Sequence, residues 1–269
     1  MSADPTQTAA GPVILVDRKG PVLTLTLNRP YAMNAVTADM CGTLRQLGDE
    51  IAADKSVRVV IVQGAGKCFS VGGDATFFSG HLDNMRPLAR QIVPDFNQFV
   101  LALRRMDKIV IAKVHGVAAG GGLSLALACD LVAAGANAQL AWGYRNIGTS
   151  PDAGGSYFLT RAVGEKKAFE LLLHRHLFSA VDAERLGLVN WVVPEAELDA
   201  FVQEVSITLS RLARTAVAQT KRLVNLAKTN SLEQQLAAEE ESFVLCTSHP
   251  DFKEGIMALI GKRPPKFED

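Results

Sequence analysis

The sequence predicts an α/β protein whose loops gather on one side of the fold. Two segments have the same order of buried strand, glycine-rich loop and helix, and their strands are the apolar runs at 57–62 and 109–114. The loops that follow contain the glycines at 72–73 and 120–122. A β-hairpin at 13–27 interrupts the alternation of strands and helices, so a simple doubly wound sheet is not expected.

The elements of the first half follow from the spacing of their apolar residues. In the hairpin, leucines alternate with threonines over 22–27, which places the leucines on one face. Apolar residues recur every three or four positions over 37–53 and over 92–106, as in amphipathic helices. An apolar helix over 123–128 and a strand near 131–134 complete this half.

The second half of the sequence is mostly helical. Its helices are predicted at about 162–174, 180–186, 195–213, 215–229 and 231–247. Ser179 and Asp182 have the spacing of a capping box at the start of the second of these helices. Pro194 marks the predicted division between a core region, 1–194, and a helical C-terminal region, 195–269.

The helices predicted from residue 195 to the end carry long apolar stripes, for example the one that begins at Leu198. Such a stripe must pack either on the chain's own core or on another copy of the chain. The formal net charge is zero, with 28 basic and 28 acidic residues, and low net charge makes self-association easier. The sequence therefore favours a subunit interface in this helical region.

Composition excludes several classes of function. The chain has 269 residues, enough to bury a large core without disulfides or a structural metal. Its balanced charge provides no field for nucleic acid or an anionic membrane, and its four scattered cysteines form no CxxC pair and are expected in the core. Residues 1–10 contain no Lys, no Arg and no apolar run, and no apolar stretch approaches the roughly 20 residues of a membrane span. We therefore expect a cytoplasmic protein.

Three well-known site motifs are absent from the sequence. The glycines at 64–66 are not followed by the third glycine of a dinucleotide-binding fingerprint, and no phosphate-binding P-loop occurs. Residues 122–126 approximate a nucleophile elbow but lack its second glycine, so Ser124 is expected to be a packed helix residue. His174 and His176 lie two residues apart, which places them off a common helical face, and no metal site is predicted.

Two glycine loops and one acid remain as candidates for chemistry. Gly72-Gly73 and the glycines at 120–122 could each present a backbone N–H, the second at a helix start where negative charge is favoured. Two such donors would form an oxyanion hole, although tight turns would require the same glycines. Asp152 is a lone carboxylate between a proline and glycines, and its local sequence alone favours a turn or helix-cap role.

Taken together, these residues resemble the crotonase, or enoyl-CoA hydratase/isomerase, superfamily over nearly the whole chain. The matching motifs are LNRP at 27–30 with Asn34-Ala35, GGD at 72–74, VAAGGG at 117–122, Cys129-Asp130, Gly154-Gly155, residues 183–189, KEG at 253–255 and Lys262-Arg263. The resemblance implies a spiral of ββα units with a helical C-terminal region that forms trimers, often paired into hexamers. It also implies that the amides of Gly73 and Gly121 stabilise the enolate of an acyl-CoA thioester.

The sequence departs from hydratases at the two positions that carry their catalytic glutamates. Ser124 and Tyr144 occupy those positions here. Hydration of a double bond needs one group to activate water and another to protonate the α-carbon, and neither neutral side chain does this well near pH 7. Hydratase-like activity is therefore only an alternative.

The loop around Asp152 is similar to that of Δ3,Δ2-enoyl-CoA isomerases and of the ring-oxepin isomerases of phenylacetate degradation, which use a carboxylate there. One carboxylate can remove a proton at C2 and return one at C4, so the resemblance predicts an acyl-CoA double-bond isomerase with Asp152 as acid and base. Two further alternatives stay open. Related dehalogenases use an Asp at this position as nucleophile, with an aromatic wall that Tyr144 could supply. A chain without both glutamates could also bind CoA esters without isomerising them.

The resemblance also implies where the substrate binds. Arg29 and Lys262, the latter from a neighbouring subunit, are expected near the phosphates of CoA, and Phe243 near its adenine. Asp74 and Tyr144 are expected to line the substrate site. CoA is part of the substrate, so no separate cofactor is expected. The expected partners are an acyl-CoA thioester and further copies of the chain in a homotrimer or homohexamer.

Overall fold

The computed structural model describes residues 11–175 and 177–267. Its strands are β1 (Ile14–Lys19), β2 (Val22–Leu27), β3 (Val59–Gly64), β4 (Ile109–Val114), β5 (Val117–Ala119), β6 (Leu131–Gly135), β7 (Gln139–Ala141), β8 (Leu177–Ser179) and β9 (Trp191–Val193). Its α-helices are α1 (Ala38–Ala53), α2 (Ala75–Ser79), α3 (Met85–Arg105), α4 (Gly121–Ala128), α5 (Gly155–Phe169), α6 (Ala180–Arg185), α7 (Leu198–Ser210), α8 (Arg214–Leu226), α9 (Leu232–Thr247) and α10 (Pro250–Ile260). The predicted α/β class with a helical C-terminal region is confirmed.

The strands form two sheets. Six strands follow the order β1-β2-β3-β4-β6-β9 in a large sheet, and three follow the order β5-β7-β8 in a small one. Within the large sheet β1 and β2 pair antiparallel, as the predicted hairpin requires, and the other neighbours are parallel. Leu25 and Leu27 of β2 are fully buried, which confirms the predicted alternation with threonines.

Successive ββα units distribute their strands between the two sheets. β4 and β6 lie in the large sheet, whereas β5 and β7, which follow them, lie in the small sheet and precede α4 and α5. The segment after β3 also joins the small sheet, because Ser70 forms a parallel bridge with Ala118 of β5. The ends of these second strands meet, since Gly120 N donates to Ala141 O over 3.0 Å. The segments that follow them build the candidate site.

The main core joins the large sheet to α1, α3 and α4. α1 and α3 pack against each other, and Leu44, Phe99 and Leu103 are fully buried there. Burial of an apolar side chain of this size contributes about 1.5–3 kcal/mol. The loops of the candidate site are therefore attached to a well-packed frame.

The helix α7 covers the opposite face of the large sheet. Leu198 and Val202 of α7 are 2% exposed each and form a second core cluster with Val59 and Ile61 of β3. This stripe therefore packs on the chain's own core, because a parallel sheet needs cover on both faces and α7 supplies the second. The subunit interface expected for the helical region as a whole stays a prediction. The predicted division of the chain after Pro194 falls between β9 and α7.

Several helix and strand boundaries differ from the sequence expectations. α5 begins at Gly155, earlier than predicted, because its glycine-rich first turn gives no apolar periodicity, and Gly164 within it has φ +75°. α10 is absent from the predicted helices, although His249 caps it and Pro250 begins it. The strands β5, β7, β8 and β9 have three residues each, too few to show an alternating pattern.

Further sequence expectations concern a helix cap, the cysteines and membrane-spanning segments. The capping box of Ser179 and Asp182 is present. Three of the four cysteines are buried as expected, whereas Cys246 is partly exposed. The expectation of a cytoplasmic location depends partly on residues 1–10. These residues and His176 lie outside the described residues. In the part of the chain that is described, no helix combines the length and the apolar character needed to cross a bilayer.

Candidate active site

The segment from Ser70 to Gly72 is held by backbone hydrogen bonds to the end of β5 and to Val36. Ala119 N donates to Ser70 O over 2.8 Å, and Val36 N donates to Gly72 O over 2.7 Å. Gly72 has φ +82°, and a Cβ there would lie 2.8 Å from Gly121 N. Position 72 therefore requires glycine, both for its backbone conformation and for the close approach of the two segments.

Two backbone amides next to this contact, those of Gly73 and Gly121, have no acceptor among the described residues. Gly73 is exposed, and Gly121 begins α4, whose N-terminus has no side-chain cap. Free amides and the positive end of the α4 dipole favour negative charge. The two amides are therefore suited to bind a strongly polarised or anionic oxygen.

Asp152 lies in the turn between β7 and α5. The next two residues, Ala153 and Gly154, have φ +49° and +81°, and Gly155 N donates to Asp152 O over 2.8 Å. A buried alanine in the left-handed region is strained, and such residues concentrate at functional sites. This turn brings Asp152 Oδ1 to 3.5 Å from the position that a Cβ on Gly121 would occupy. The carboxylate therefore stands beside the N-terminus of α4.

The hydroxyl of Tyr144 donates a hydrogen bond to Asp152 Oδ1 over 2.6 Å. Tyr144 is buried, and its hydroxyl also lies 3.0 Å from Oγ of Ser124, a fully buried residue of α4. Burial, together with the negative charge of Asp152, raises the pKa of Tyr144 well above its ordinary value. Tyr144 is therefore a neutral donor near pH 7, and Ser124 is the packed helix residue that the sequence predicts.

The second carboxylate oxygen of Asp152, Oδ2, accepts no hydrogen bond in the described part of the chain. Oδ1 has the Tyr144 contact. The Asp152 side chain is partly exposed at this point. A carboxylate with one oxygen held and the other without a donor can accept a proton from a bound molecule and return it.

Two phenylalanines flank the glycine amides. A Cβ on Gly73 would lie 2.6 Å from Phe78 Cζ, and a Cβ on Gly121 would lie 3.6 Å from Phe96 Cε1. These rings place apolar surface beside both glycines, and hydrogen bonds are stronger where apolar groups exclude water. No signal in the sequence separates Phe96 from the other apolar residues of α3, because periodicity does not say which of them faces a site.

Arg29 and Asp74, both expected at the substrate site, form an ion pair with each other. Arg29 Nη1 lies 2.9 Å from Asp74 Oδ2, and the two side chains are 13% and 12% exposed. Asp74 Oδ1 accepts from the amides of Thr76 and Phe77, each over 3.0 Å. Burial opposes ionisation of Asp74, but these hydrogen bonds and the Arg29 charge outweigh it and lower the pKa of Asp74. The pair fixes the start of α2 directly after Gly73.

The other two expected substrate contacts lie in the helical C-terminal region. Phe243 on α9 is 65% exposed, and its ring centroid is 6.5 Å from that of Phe252. Lys262 follows α10 and is exposed. The structure therefore brings Asp152 and Tyr144 together with the glycine amides, while contacts of Phe243 and Lys262 with CoA stay predictions.

Nearly the whole chain matches a known family model. That model, described as enoyl-CoA hydratase/isomerase, matches residues 17–269. The chain belongs to the enoyl-CoA hydratase/isomerase family. The resemblance noted in the sequence is thereby confirmed, and the solved structures of family members confirm the expected spiral of ββα units with its helical C-terminal region.

Relatives in the enoyl-CoA hydratase/isomerase family carry both hydratase and isomerase names. The 1,2-epoxyphenylacetyl-CoA isomerase of Escherichia coli K12 is 32% identical over 249 residues, which cover 91% of this chain and 94% of that protein. The probable enoyl-CoA hydratase EchA12 of Mycobacterium tuberculosis H37Rv is 37% identical over 267 residues, covering 96% and 93%. A crystal structure of an enoyl-CoA hydratase from Polaromonas sp. JS666 matches with a TM-score of 0.91 at 34% identity, covering 95% of this chain and 99% of that one. This protein is therefore an acyl-CoA enzyme of the family.

Proposed function

We propose that this family member is an acyl-CoA double-bond isomerase in which Asp152 acts as acid and base. The observation that carries the proposal is the carboxylate of Asp152, held at Oδ1 by Tyr144 and lying beside the N-terminus of α4, where the amide of Gly121 has no acceptor among the described residues. The two positions at which hydratases carry glutamate hold Ser124 and Tyr144, whose hydroxyls bind each other, and Tyr144 also binds Asp152. One carboxylate suffices for a double-bond shift, which supports isomerisation over hydration.

In the proposed reaction, the double bond of a 3-enoyl-CoA moves to C2. The thioester oxygen accepts hydrogen bonds from the amides of Gly73 and Gly121, while Asp152 Oδ2 removes a proton from C2. The electron pair of the broken C–H bond forms a dienolate, whose charge develops on the thioester oxygen between the two amides. The carboxylic acid then returns the proton at C4, which gives the 2-enoyl-CoA and restores the carboxylate. Loss of one oxyanion donor typically costs about 10²–10³ in rate.

Hydration would need a second acid–base group, which these contacts do not supply. One group must activate water while another protonates the α-carbon. Burial and the charge of Asp152 raise the pKa of Tyr144 and keep its hydroxyl neutral. The Ser124 hydroxyl is directed into the same hydrogen-bond network. The proposal is therefore isomerisation without hydration of crotonyl-CoA.

The substrate in this proposal is an acyl-CoA thioester, and the base and the oxyanion donors suffice without a separate cofactor. We expect Arg29 to lie near the phosphates of CoA. Phe243 and Lys262 are exposed, and we expect them to reach the CoA bound by a neighbouring copy in a homotrimer or homohexamer.

Proton exchange measured by NMR in D₂O tests the proposal. The wild-type protein is expected to convert a 3-enoyl-CoA into its 2-enoyl isomer and to leave crotonyl-CoA unhydrated. Asp152→Asn keeps the size of the side chain but removes the base, and we expect the isomerisation rate to fall about 10²- to 10⁴-fold. Asp17→Asn, at an exposed carboxylate of β1, is the matched control and should keep the wild-type rate.

Two outcomes of this experiment would contradict the proposal. Near wild-type turnover of Asp152→Asn would exclude Asp152 as the base. Silence of both proteins toward 3-enoyl-CoA, despite measurable binding of CoA esters, would favour a different acyl group, a dehalogenase-like reaction or a binding role.

A further inference from the structure

We propose that Tyr144 is a positioning residue that holds Asp152 by Oδ1. Only Oδ2 then exchanges protons with the acyl group, and the proton removed from C2 stays on Asp152 until it is returned at C4. This inference rests on the proposed isomerisation. It assigns a role to both side chains that stand at the glutamate positions of hydratases.

A directed relay of hydrogen bonds runs from α4 to the carboxylate. A carboxylate only accepts hydrogen bonds, so Tyr144 donates its single hydroxyl proton to Asp152 Oδ1, 2.6 Å away. Ser124 Oγ, 3.0 Å from the Tyr144 oxygen, is then the donor in the second contact. The other acceptor near Ser124 Oγ, Gly120 O, is farther away at 3.3 Å. The relay therefore leads from Ser124 through Tyr144 to Asp152.

The relay is built from buried and closely packed groups. Ser124 is 0% exposed and Tyr144 is 7% exposed. A Cβ on Gly155 would collide with Ser124 Oγ, and the Tyr144 ring stacks on Trp142 with the centroids 6.2 Å apart. Burial and the charge of Asp152 raise the pKa of Tyr144, so the hydroxyl stays protonated. The donor is thus fixed in its position and in its protonation state.

The hydrogen bond from Tyr144 to Oδ1 keeps the proton that Asp152 takes from C2 on Oδ2. When the carboxyl group is protonated at Oδ2, Oδ1 still accepts from Tyr144. The carboxyl group therefore cannot rotate the proton away from the acyl chain, and return to C4 competes with loss to water. We expect part of the hydrogen removed from C2 to reappear at C4 of the product.

Tyr144→Phe tests this role because it removes the hydroxyl and keeps the ring. With a 3-enoyl-CoA deuterated at C2, the wild type is expected to transfer a measurable fraction of the deuterium to C4, and Tyr144→Phe a clearly smaller fraction. We expect kcat to fall about 10- to 100-fold because the base is misplaced, with KM changed by less than about three-fold. Tyr157→Phe, the same change at an exposed ring, is the matched control and should match the wild type.

Ser124→Ala tests the relay without touching the packing of the Tyr144 ring. It removes the second donor, so we expect a loss of deuterium transfer that is intermediate between the wild type and Tyr144→Phe. If thermal denaturation shows that Tyr144→Phe is not stably folded, Ser124→Ala alone provides the test. A positioning role further predicts that Asp152→Asn/Tyr144→Phe is no slower than Asp152→Asn alone, since the Tyr144 hydroxyl acts only through the carboxylate.

The outcomes separate this inference from the proposed function. Wild-type kcat and wild-type deuterium transfer in both Tyr144→Phe and Ser124→Ala would overturn the positioning role and leave an Asp152-dependent isomerase standing. Absence of isomerisation in the wild type would refute the proposed function, before any variant is compared.

Discussion

Gly72 and Gly121 are needed for different physical reasons, although both lie where the two glycine segments meet. Gly72 has φ +82°, and the position of its Cβ is taken by backbone atoms of the neighbouring segment. At Gly121 a Cβ would have ordinary van der Waals distances, 3.5 Å to Asp152 Oδ1 and 3.6 Å to Phe96 Cε1. An alanine therefore disturbs the backbone at position 72 and only the site at position 121.

We predict that Gly72→Ala and Gly121→Ala separate stability from activity. Backbone strain in Gly72→Ala should cost about 1–3 kcal/mol, which lowers the melting temperature by about 3–10 °C. Gly121→Ala should keep the melting temperature within about 2 °C and lower kcat about ten-fold or more, because its methyl group stands against the carboxylate. Thermal denaturation and initial rates measure both effects. A destabilised Gly121→Ala with normal kcat would argue against the site.

The residues of the candidate site differ in how well the sequence predicts them. The loops that contain Asp152 and the glycines can be predicted, because glycines leave a mark in the linear pattern. Their roles in the site are implied only by the resemblance to the family. The hydrogen bond from Tyr144 to Asp152 depends on a turn with Ala153 in the left-handed region, which no propensity predicts. The sequence therefore predicts Tyr144 at the substrate site without predicting its contact with the carboxylate.

Among the secondary-structure elements, the strands of the large sheet other than β9 are predictable, and those of the small sheet are not. Strands such as β3 and β4 are covered on both faces, so they appear as continuous apolar runs in the sequence. The strands of the small sheet have three residues each, and their pairing is decided by contacts distant in sequence. The small sheet nevertheless places the three site segments side by side, so sequence reasoning finds the loops without the sheet that assembles them.

A buried lysine attaches α8 to the core. Lys221 Nζ donates to Leu103 O over 2.6 Å and to Lys108 O over 2.7 Å, and it lies 2.7 Å from Asp130 Oδ2. Arg104 Nη1 lies 2.8 Å from Asp130 Oδ1. One carboxylate thereby joins α3 and α8 to the start of β6.

We predict that Lys221→Met lowers the free energy of unfolding by about 3–5 kcal/mol, as expected when one partner of a buried ion pair is removed. Two backbone oxygens lose their donor at the same time. Lys55→Met, at an exposed lysine, is the control and should stay within about 0.5 kcal/mol of the wild type. Urea denaturation measures both. A change in Lys221→Met as small as that of the control would show that Arg104 and the amide of Val110, which donates to Asp130 Oδ2 over 2.9 Å, satisfy Asp130 without Lys221.

At the scale of the whole molecule, the apolar stripes of the helical C-terminal region divide between the chain's own sheet and exposed surface. The stripe of α7 is buried on its own sheet, whereas α9 and α10 leave large apolar side chains exposed. Those at least 41% exposed are Leu232, Leu236, Phe243, Val244, Leu245, Phe252, Ile256, Met257, Leu259 and Ile260. A large exposed apolar surface marks an interaction site. Apolar content predicts that the helical region makes contacts, but only the fold decides which helix the sheet uses.

We predict that α9 and α10 carry the contacts of a homotrimer or homohexamer. Light scattering after size exclusion should give three or six chain masses for the wild type. Leu259→Glu/Ile260→Glu should shift the mass toward one chain, because charges at an apolar contact are buried without partners. Val16→Glu, at an exposed residue of β1, should keep the assembly.

The same variants test whether neighbouring copies complete the substrate site. If Phe243 and Lys262 reach the CoA bound by a neighbouring copy, dissociation should raise KM for the acyl-CoA more than it lowers kcat, because Asp152 and the glycine amides remain within one chain. A single-chain mass for the wild type at micromolar concentration, with full activity, would contradict both expectations. The CoA contacts would then have to come from residues of the chain that holds Asp152.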